Sequence, residues 1–157
     1  VGDFGVELEG ARRKLIRRPR RVRIGDLCVQ GFPFYGGAFV YRIPVPPGVR
    51  RLELPDVQGA CAKVGDEVLA WDPRVAVLDG RGGMLDVEVC LTRRNTFGPL
   101  HDTRTREWLG PQHFVTQGDE YIPDCVLIPS GLTAEPLAWI AGPTCQAGMP
   151  ASSRRRG

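Results

Sequence analysis

The chain has 157 residues, a formal net charge of +3 and a hydrophobic fraction of 42%, which together predict one domain with a buried core. It contains no run of about 18 or more apolar residues, which excludes a membrane-spanning helix and gives no reason to expect a membrane partner. Its 20 glycines and 14 prolines favour many short elements joined by tight turns. The chain opens with Val1, which indicates a processed chain or a piece of a longer one.

Positive charge is concentrated in two stretches. Residues 12–23 hold eight basic side chains and no acidic one, and residues 154–156 add three arginines. Residues 26–150 hold ten basic and fifteen acidic side chains. Because a nucleic-acid groove needs a basic surface along its length, this distribution disfavours a nucleic-acid partner and favours a solvated arm or a contact with an acidic neighbouring domain. The part "ARRKLIRR" predicts at most two turns of helix, which end at Pro19.

Helical periodicity is nearly absent beyond this segment, and short strands follow one another. The clearest is "MLDVEVCLT", residues 84–92, whose alternate apolar side chains predict a half-buried strand of an antiparallel sheet. Further strands are predicted at residues 37–45, 49–55, 60–64, 67–71, 74–78 and 124–129, separated by turn-forming residues at 46–48, 65–66, 72–73 and 79–83. This spacing predicts an all-β fold, an antiparallel β-sandwich of jelly-roll type. One domain is expected over residues 1–141, followed by a flexible Gly/Pro/Arg tail over residues 142–157.

Five cysteines are scattered along the chain: Cys28, Cys61, Cys90, Cys125 and Cys145. No two have CxxC spacing, which disfavours a zinc ribbon or a redox pair. Several lie in apolar, strand-like runs, where a thiol behaves as a small hydrophobic group. Reduced cysteines in the core are the best interpretation, and they favour an intracellular, cytoplasmic setting.

Residues 94–114 hold the polar groups from which a catalytic site would have to be built. Asp102 and Glu107 could form the carboxylate pair of a glycosidase, but no spacing rule makes this pair specific. No serine lies in a nucleophile-elbow motif, and the two histidines are too few for a metal centre. We therefore expect no catalysis by this chain alone, no metal and no cofactor.

His101 and His113 each follow a Gly-Pro pair by two residues, in "GPLH" and "GPQH". A histidine at this position can hydrogen-bond to loop backbone and fix an irregular segment. We weigh that role above contact with a ligand and above metal binding. Trp71, Trp108 and Trp139 leave a similar choice, between filling the core and stacking on a sugar ring, and core filling is favoured for each taken alone.

A series of motifs gives the sequence a family resemblance. The motifs, in chain order, are "GDFGV" (2–6), "GDLCVQGFPFYGGAFVYRIPV" (25–45), "LAWDP" (69–73), "LTRRNTFGPLH" (91–101), "GPQHF" (110–114) and "YIPDCVLIPSGL" (121–132). Their order resembles the β-sandwich domain near the C-terminal end of large bacterial glycoside-hydrolase-like proteins. It is similar more broadly to the galactose-binding-like jelly rolls of family-2 β-galactosidases and α-L-rhamnosidases. The chain departs from this pattern at Val64-Gly65, where relatives carry Asn-Gly, and in its basic segment at residues 12–23.

The resemblance implies a non-catalytic accessory domain that packs on a neighbouring catalytic domain, binds carbohydrate weakly, or does both. The alternative is a purely structural domain for protein–protein contact or homo-oligomerisation. For a sugar site we expect the strand-end and loop residues where aromatic and polar groups coincide: Tyr35, Trp71, Asn95, His101 and Trp108. Within "RRNTFGPLH" we also expect Asn95 and His101 to fix the loop that follows a core strand, and Phe97 to plug the end of the sandwich.

Overall fold

A computed structural model gives the fold and describes residues 3–103 and 109–140. Its elements are short, as the turn-rich composition predicts. The strands of this part of the chain are β1 (Phe4–Glu9), β2 (Arg12–Arg17), β3 (Ala38–Val45), β4 (Val49–Glu53), β5 (Val57–Gln58), β6 (Cys61–Val64), β7 (Glu67–Leu69), β8 (Val75–Val77), β9 (Gly83–Cys90), β10 (Gly131–Leu132) and β11 (Leu137–Ile140). Helical structure in the same residues is limited to one turn of α-helix, α1 (Arg94–Phe97), and to 3₁₀ turns at Cys28–Gln30 and Pro111–His113. No helix among the described residues is long and apolar enough to cross a membrane.

The largest sheet has the strand order β3-β9-β6-β7, and all its pairings are antiparallel. The alternation predicted for residues 84–92 is confirmed, because Val87 and Val89 are fully buried while Asp86 is exposed and Glu88 is partly exposed. The opposite face of the sheet carries the ion pairs Arg42–Asp86 (3.1 Å) and Lys63–Glu88 (4.0 Å). We call this polar side the outer face of the large sheet.

A second sheet has the order β11-β4-β8, and a two-stranded pair joins β10 to β5. Leu52 of β4 and Ala76 of β8 face each other across one ladder and are buried. Both belong to the same hydrophobic core as Val87 of the large sheet and Leu132 of β10. The sheets therefore share one core, and the all-β antiparallel architecture predicted from the sequence is confirmed in its β-sandwich-like form.

The basic segment forms a strand, so the prediction of a helix there is wrong. Strand β2 pairs antiparallel with β1, which places Lys14 opposite Glu7 and Arg12 opposite Glu9. The Lys14 ammonium and the Glu7 carboxylate are 3.4 Å apart. Cross-strand charge pairing and the docking of Ile16 over Gly5 outweigh the weak helical propensity of the segment.

The other predicted strands agree with the structure except one. Residues 124–129 form no ladder, because their backbone bonds to loops instead: Val126 N–H donates to Leu100 O at 2.7 Å, and Ile128 N–H donates to the Asn95 side chain at 3.0 Å. Strands β1, β5, β10 and β11 were not expected from the sequence. The predicted tail, residues 142–157, lies outside the described residues.

Candidate ligand-binding site

Three of the predicted site residues lie at one end of the large sheet. Tyr35 precedes β3, Asn95 follows β9, and Trp71 follows β7. These strand ends coincide because Ala38, Cys90 and Cys61 stand side by side across the ladders. Strands β3 and β7 form opposite edges of the sheet, however, so three strand spacings, about 14 Å, separate the Tyr35 and Trp71 ends.

Asn95 is buried and holds the loop at Ile128. Its amide nitrogen donates to Ile128 O at 2.7 Å, and its amide oxygen accepts from Ile128 N–H at 3.0 Å. The amide nitrogen also lies 3.3 Å from the Cys28 sulfur. The expectation that Asn95 fixes the loop is confirmed, whereas its contact with a sugar stays a prediction.

His101 also holds loop backbone. Its Nδ1 lies 3.0 Å from Ile122 O and 3.1 Å from Asp124 O, and its ring packs against Tyr121 with centroids 5.6 Å apart. The Arg13 guanidinium of β2 reaches to 3.5 Å from Nε2. This confirms the loop-fixing role expected for His101 and ties the basic hairpin to the same loop.

His113, which follows the second Gly-Pro pair, also hydrogen-bonds to loop backbone. It is 3% exposed, and its Nδ1 accepts a hydrogen bond of 2.8 Å from the backbone N–H of Gly110. In that bond Nδ1 is the acceptor, which fixes the orientation of the ring against the loop backbone. The loop-fixing role predicted for the "GPxH" histidines therefore holds for both.

Phe97 does not plug the sandwich, because its side chain is 68% exposed. Helix α1 turns Asn95 inward and lets the Thr96 hydroxyl donate to Phe34 O at 2.7 Å, which leaves position 97 on the outside. The prediction of a plug is thus wrong. An aromatic cluster lies nearby, where Tyr35 packs edge-on against Phe39 at 5.1 Å.

The sequence favours core filling for each tryptophan, whereas the structure places the two that it describes at the surface. Trp71 is 86% exposed and Trp139 is 56% exposed, so core filling is wrong for both. Trp108 lies outside the described residues. Of the two exposed rings, that of Trp139 lines a depression in the protein surface.

The depression lies on the solvent side of the β11-β4-β8 sheet and has a volume of about 250 Å³. We call it the Trp139 groove; it is lined by Trp139, Arg51, Glu53 and Val75. The ladders place Trp139 directly opposite Arg51, and Glu53 directly opposite Val75. Strand β4 produces this arrangement by alternation, since Leu52 between the two charged residues is buried in the core.

The charges of the groove are available to a ligand. Within residues 3–103 and 109–140, neither the Arg51 guanidinium nor the Glu53 carboxylate has a hydrogen-bond or ion-pair partner. An indole face can stack on a sugar ring, while the guanidinium donates to hydroxyl oxygens and the carboxylate accepts from hydroxyl groups. The groove therefore offers a platform and both kinds of polar group within one strand spacing.

The sequence contained a partial signal for this groove. The strand predicted at residues 49–55 already implies that Arg51 and Glu53 point to solvent. The four residues "LAWI" (137–140) are all apolar and show no alternation, so they predict neither a strand nor an exposed face. Only the pairing of β11 with β4 brings Trp139 beside the two charges.

Comparison with known proteins adds no relative. No protein-family model matches this chain, and no curated protein and no solved structure matches it.

Proposed function

We propose that the chain is a non-catalytic carbohydrate-binding domain of jelly-roll, galactose-binding-like type, and that it serves a larger glycoside-hydrolase-type protein. One observation carries the proposal: the half-exposed Trp139 lies beside Arg51 and Glu53 in a groove of about 250 Å³. This is the combination of aromatic platform and convergent polar groups that sugar sites use. The motif series from Gly2 to Leu132 supports the family assignment as a resemblance.

The shape of the groove suits a solvent-exposed site that binds a sugar with low affinity. It is shallow and lies on a sheet face, so a bound sugar keeps much of its surface in water. Affinity near millimolar corresponds to about −4 kcal/mol, and loss of one stacking aromatic costs about 1 kcal/mol beyond its buried area. Removal of Trp139 should therefore weaken binding at least about fivefold.

The test begins with a glycan-array screen of the full chain, followed by titration calorimetry with the best sugar. Trp139→Ala should lose binding, whereas Trp71→Ala should keep it. The two variants are a matched pair, because each removes an exposed indole and leaves the core untouched. Thermal unfolding of both should stay close to that of the wild type.

If Trp71→Ala loses binding and Trp139→Ala keeps it, the sugar site lies at the end of the large sheet and not in the Trp139 groove. A wild-type chain that binds no glycan on the array would overturn the carbohydrate function. Loss of binding that accompanies early melting would assign Trp139 a structural role instead.

A second candidate, a structural role in protein association, is favoured by strand β11. All four of its side chains are exposed, and among the described strands β11 pairs on one side only, with β4. An unpaired apolar edge can add a strand from a second copy of the chain. This candidate predicts a dimer in analytical ultracentrifugation that Leu137→Lys converts to a monomer, whereas the carbohydrate proposal requires no dimer.

A further inference from the structure

Cys61 and Cys90 are directly opposite each other in the ladder between β6 and β9. Opposed residues of an antiparallel pair project to the same face and have Cα atoms about 4.5–5.5 Å apart. Disulfides form across Cα distances of about 4.4–6.8 Å. The backbone thus places two cysteines that are 29 positions apart in sequence within the range of Cα distances that a disulfide spans.

Both thiols lie on the outer face of the large sheet and are only half-buried. The next pair of opposed residues on that face is Lys63–Glu88, and the neighbour of Cys90 on the other side is Ala38, a small and exposed residue. A small reagent can therefore reach the pair from solvent.

The backbone fixes the alignment of the two cysteines independently of their sulfur atoms. Ala60 N–H donates to Cys90 O at 2.8 Å, next to the ladder. At Gly59 any side chain would meet Cys90 O at 2.7 Å, so the close approach of the two strands requires glycine there. A bond between the sulfurs would join strands that are already in register.

The other described cysteines have different surroundings. The Cys28 thiol lies 3.4 Å from Ile128 O and 3.5 Å from the Ser130 hydroxyl. The Cys125 sulfur accepts a hydrogen bond of 3.1 Å from Arg13. Among the four cysteines in the described part of the chain, only Cys61 and Cys90 occupy opposed ladder positions.

We propose that Cys61 and Cys90 are a thiol–disulfide pair that a small-molecule disulfide oxidises to a cross-strand bond between β6 and β9. One cysteine thiolate attacks a sulfur of the small disulfide, forms a mixed disulfide and releases one small thiol. The second cysteine then attacks the mixed disulfide, closes the bond and releases the other small thiol. The protein loses two electrons and two protons, which the two released thiols carry.

Burial raises the pKa of the Cys90 thiol, with the neighbouring Cys61 thiol and Glu88 acting in the same direction and Lys63 opposing them. A small thiolate fraction slows attack by Cys90 at neutral pH. The closed bond crosslinks a segment that contains β7 and β8, and a crosslink of this length limits the conformations of the unfolded chain. The consequence is a domain that melts at a higher temperature when oxidised.

The full chain is incubated with oxidised glutathione, remaining thiols are alkylated under denaturing conditions, and the peptides are identified by mass spectrometry. The expected product is a Cys61–Cys90 disulfide peptide, with Cys28 and Cys125 alkylated. The melting temperature should rise by roughly 5–10 °C and return on reduction with dithiothreitol. Cys61→Ala and Cys90→Ala should abolish the rise, while Cys28→Ala, which also removes a half-buried thiol, should retain it.

Peptide mapping of the wild type keeps the test independent of how the variants fold. Two protected thiols at positions 61 and 90 without a shared disulfide peptide, meaning two glutathione adducts, would overturn the proposal. The same holds if both thiols are alkylated after prolonged oxidation, or if another cysteine pairs with either of them.

Discussion

At the scale of the single residue, the Asn95 side chain hydrogen-bonds to another segment in the way that the backbone of a strand does. Its amide reproduces the paired donor and acceptor of a strand and bonds both polar groups of Ile128. This explains how residues 124–129 remain ordered outside any ladder. The segment "RRNTFGPLH" is thus a strand exit whose Asn holds a distant loop.

Asn95→Ala should lower the free energy of unfolding by about 1–3 kcal/mol, because both polar groups of Ile128 lose their partner. Urea denaturation measures the change. Gln117→Ala, which removes an exposed amide, is the control and should change stability by less than about 0.5 kcal/mol. Equal stability of Asn95→Ala and the wild type would show that the loop does not need this bond.

Cys28 shares this environment, and its titration should be visible in the stability of the fold. Burial raises the pKa of the Cys28 thiol from the ordinary value of 9.0 to about 11, with Asp26 contributing in the same direction. Between these values the unfolded chain loses the thiol proton while the folded chain keeps it. The stabilising contribution is therefore complete below pH 9.0 and is lost as the pH rises towards about 11.

We expect the urea concentration at the unfolding midpoint to fall as the pH rises from 9.0 to about 11. The fall should be steeper for the wild type than for Cys28→Ala. Both proteins should give parallel curves at lower pH, offset by a constant difference. Curves that stay parallel through the alkaline range would contradict the raised pKa.

At the scale of the element, a hydrogen bond to a tyrosine hydroxyl joins strand β10 to the large sheet. The Tyr41 hydroxyl of β3 accepts a hydrogen bond of 3.1 Å from the N–H of Leu132, a fully buried residue. Gly131 makes room for it, because a Cβ there would lie 2.6 Å from the Tyr41 oxygen and the residue has a φ of +103°. The two elements thus depend on each other although they share no ladder.

Tyr41→Phe should destabilise the fold by about 1–3 kcal/mol, because a buried N–H loses its acceptor while the packing of the ring is preserved. Chemical denaturation reports the loss. Tyr121→Phe serves as the control, since that ring is 38% exposed, and its effect should stay within about 0.5 kcal/mol. A Tyr41→Phe protein as stable as the wild type would mean that Leu132 N–H finds another acceptor.

At the scale of the whole molecule, the charge distribution determines which partners suit the surface. The basic strand β2 lies against the acidic strand β1, with ion pairs Lys14–Glu7 and Arg18–Asp3. Part of the positive charge of residues 12–23 is thereby neutralised within the hairpin. We therefore predict that this surface binds polyanions weakly.

The full chain should elute from a polyanion resin at low salt. Its affinity for a DNA duplex should depend on salt with a slope shallower than about −3 in log–log form, corresponding to about three neutralised phosphates. Fluorescence anisotropy across a salt series measures this slope. A slope of about −6 or steeper would assign the hairpin to nucleic-acid binding.

The sequence by itself determined the all-β class, most strand positions and the loop-fixing roles of Asn95, His101 and His113. These follow from local rules: period-two alternation, turn-forming residues, and side chains that bond to nearby or incoming backbone. Along β9 the buried side chains are those that the period-two alternation predicts, because one face of the sheet must pack against the core.

Only the tertiary structure decided which residues from separate strands meet. The strand at residues 12–17 depends on its pairing with acidic β1, the Trp139 groove on the register of β11 against β4, and the Cys61–Cys90 pair on the register of β6 against β9. Spacing along the chain excluded a CxxC motif but carried no information about a ladder that joins positions 29 residues apart. Register is fixed by burial of a whole face and by turn geometry, which are properties of the assembled sheets.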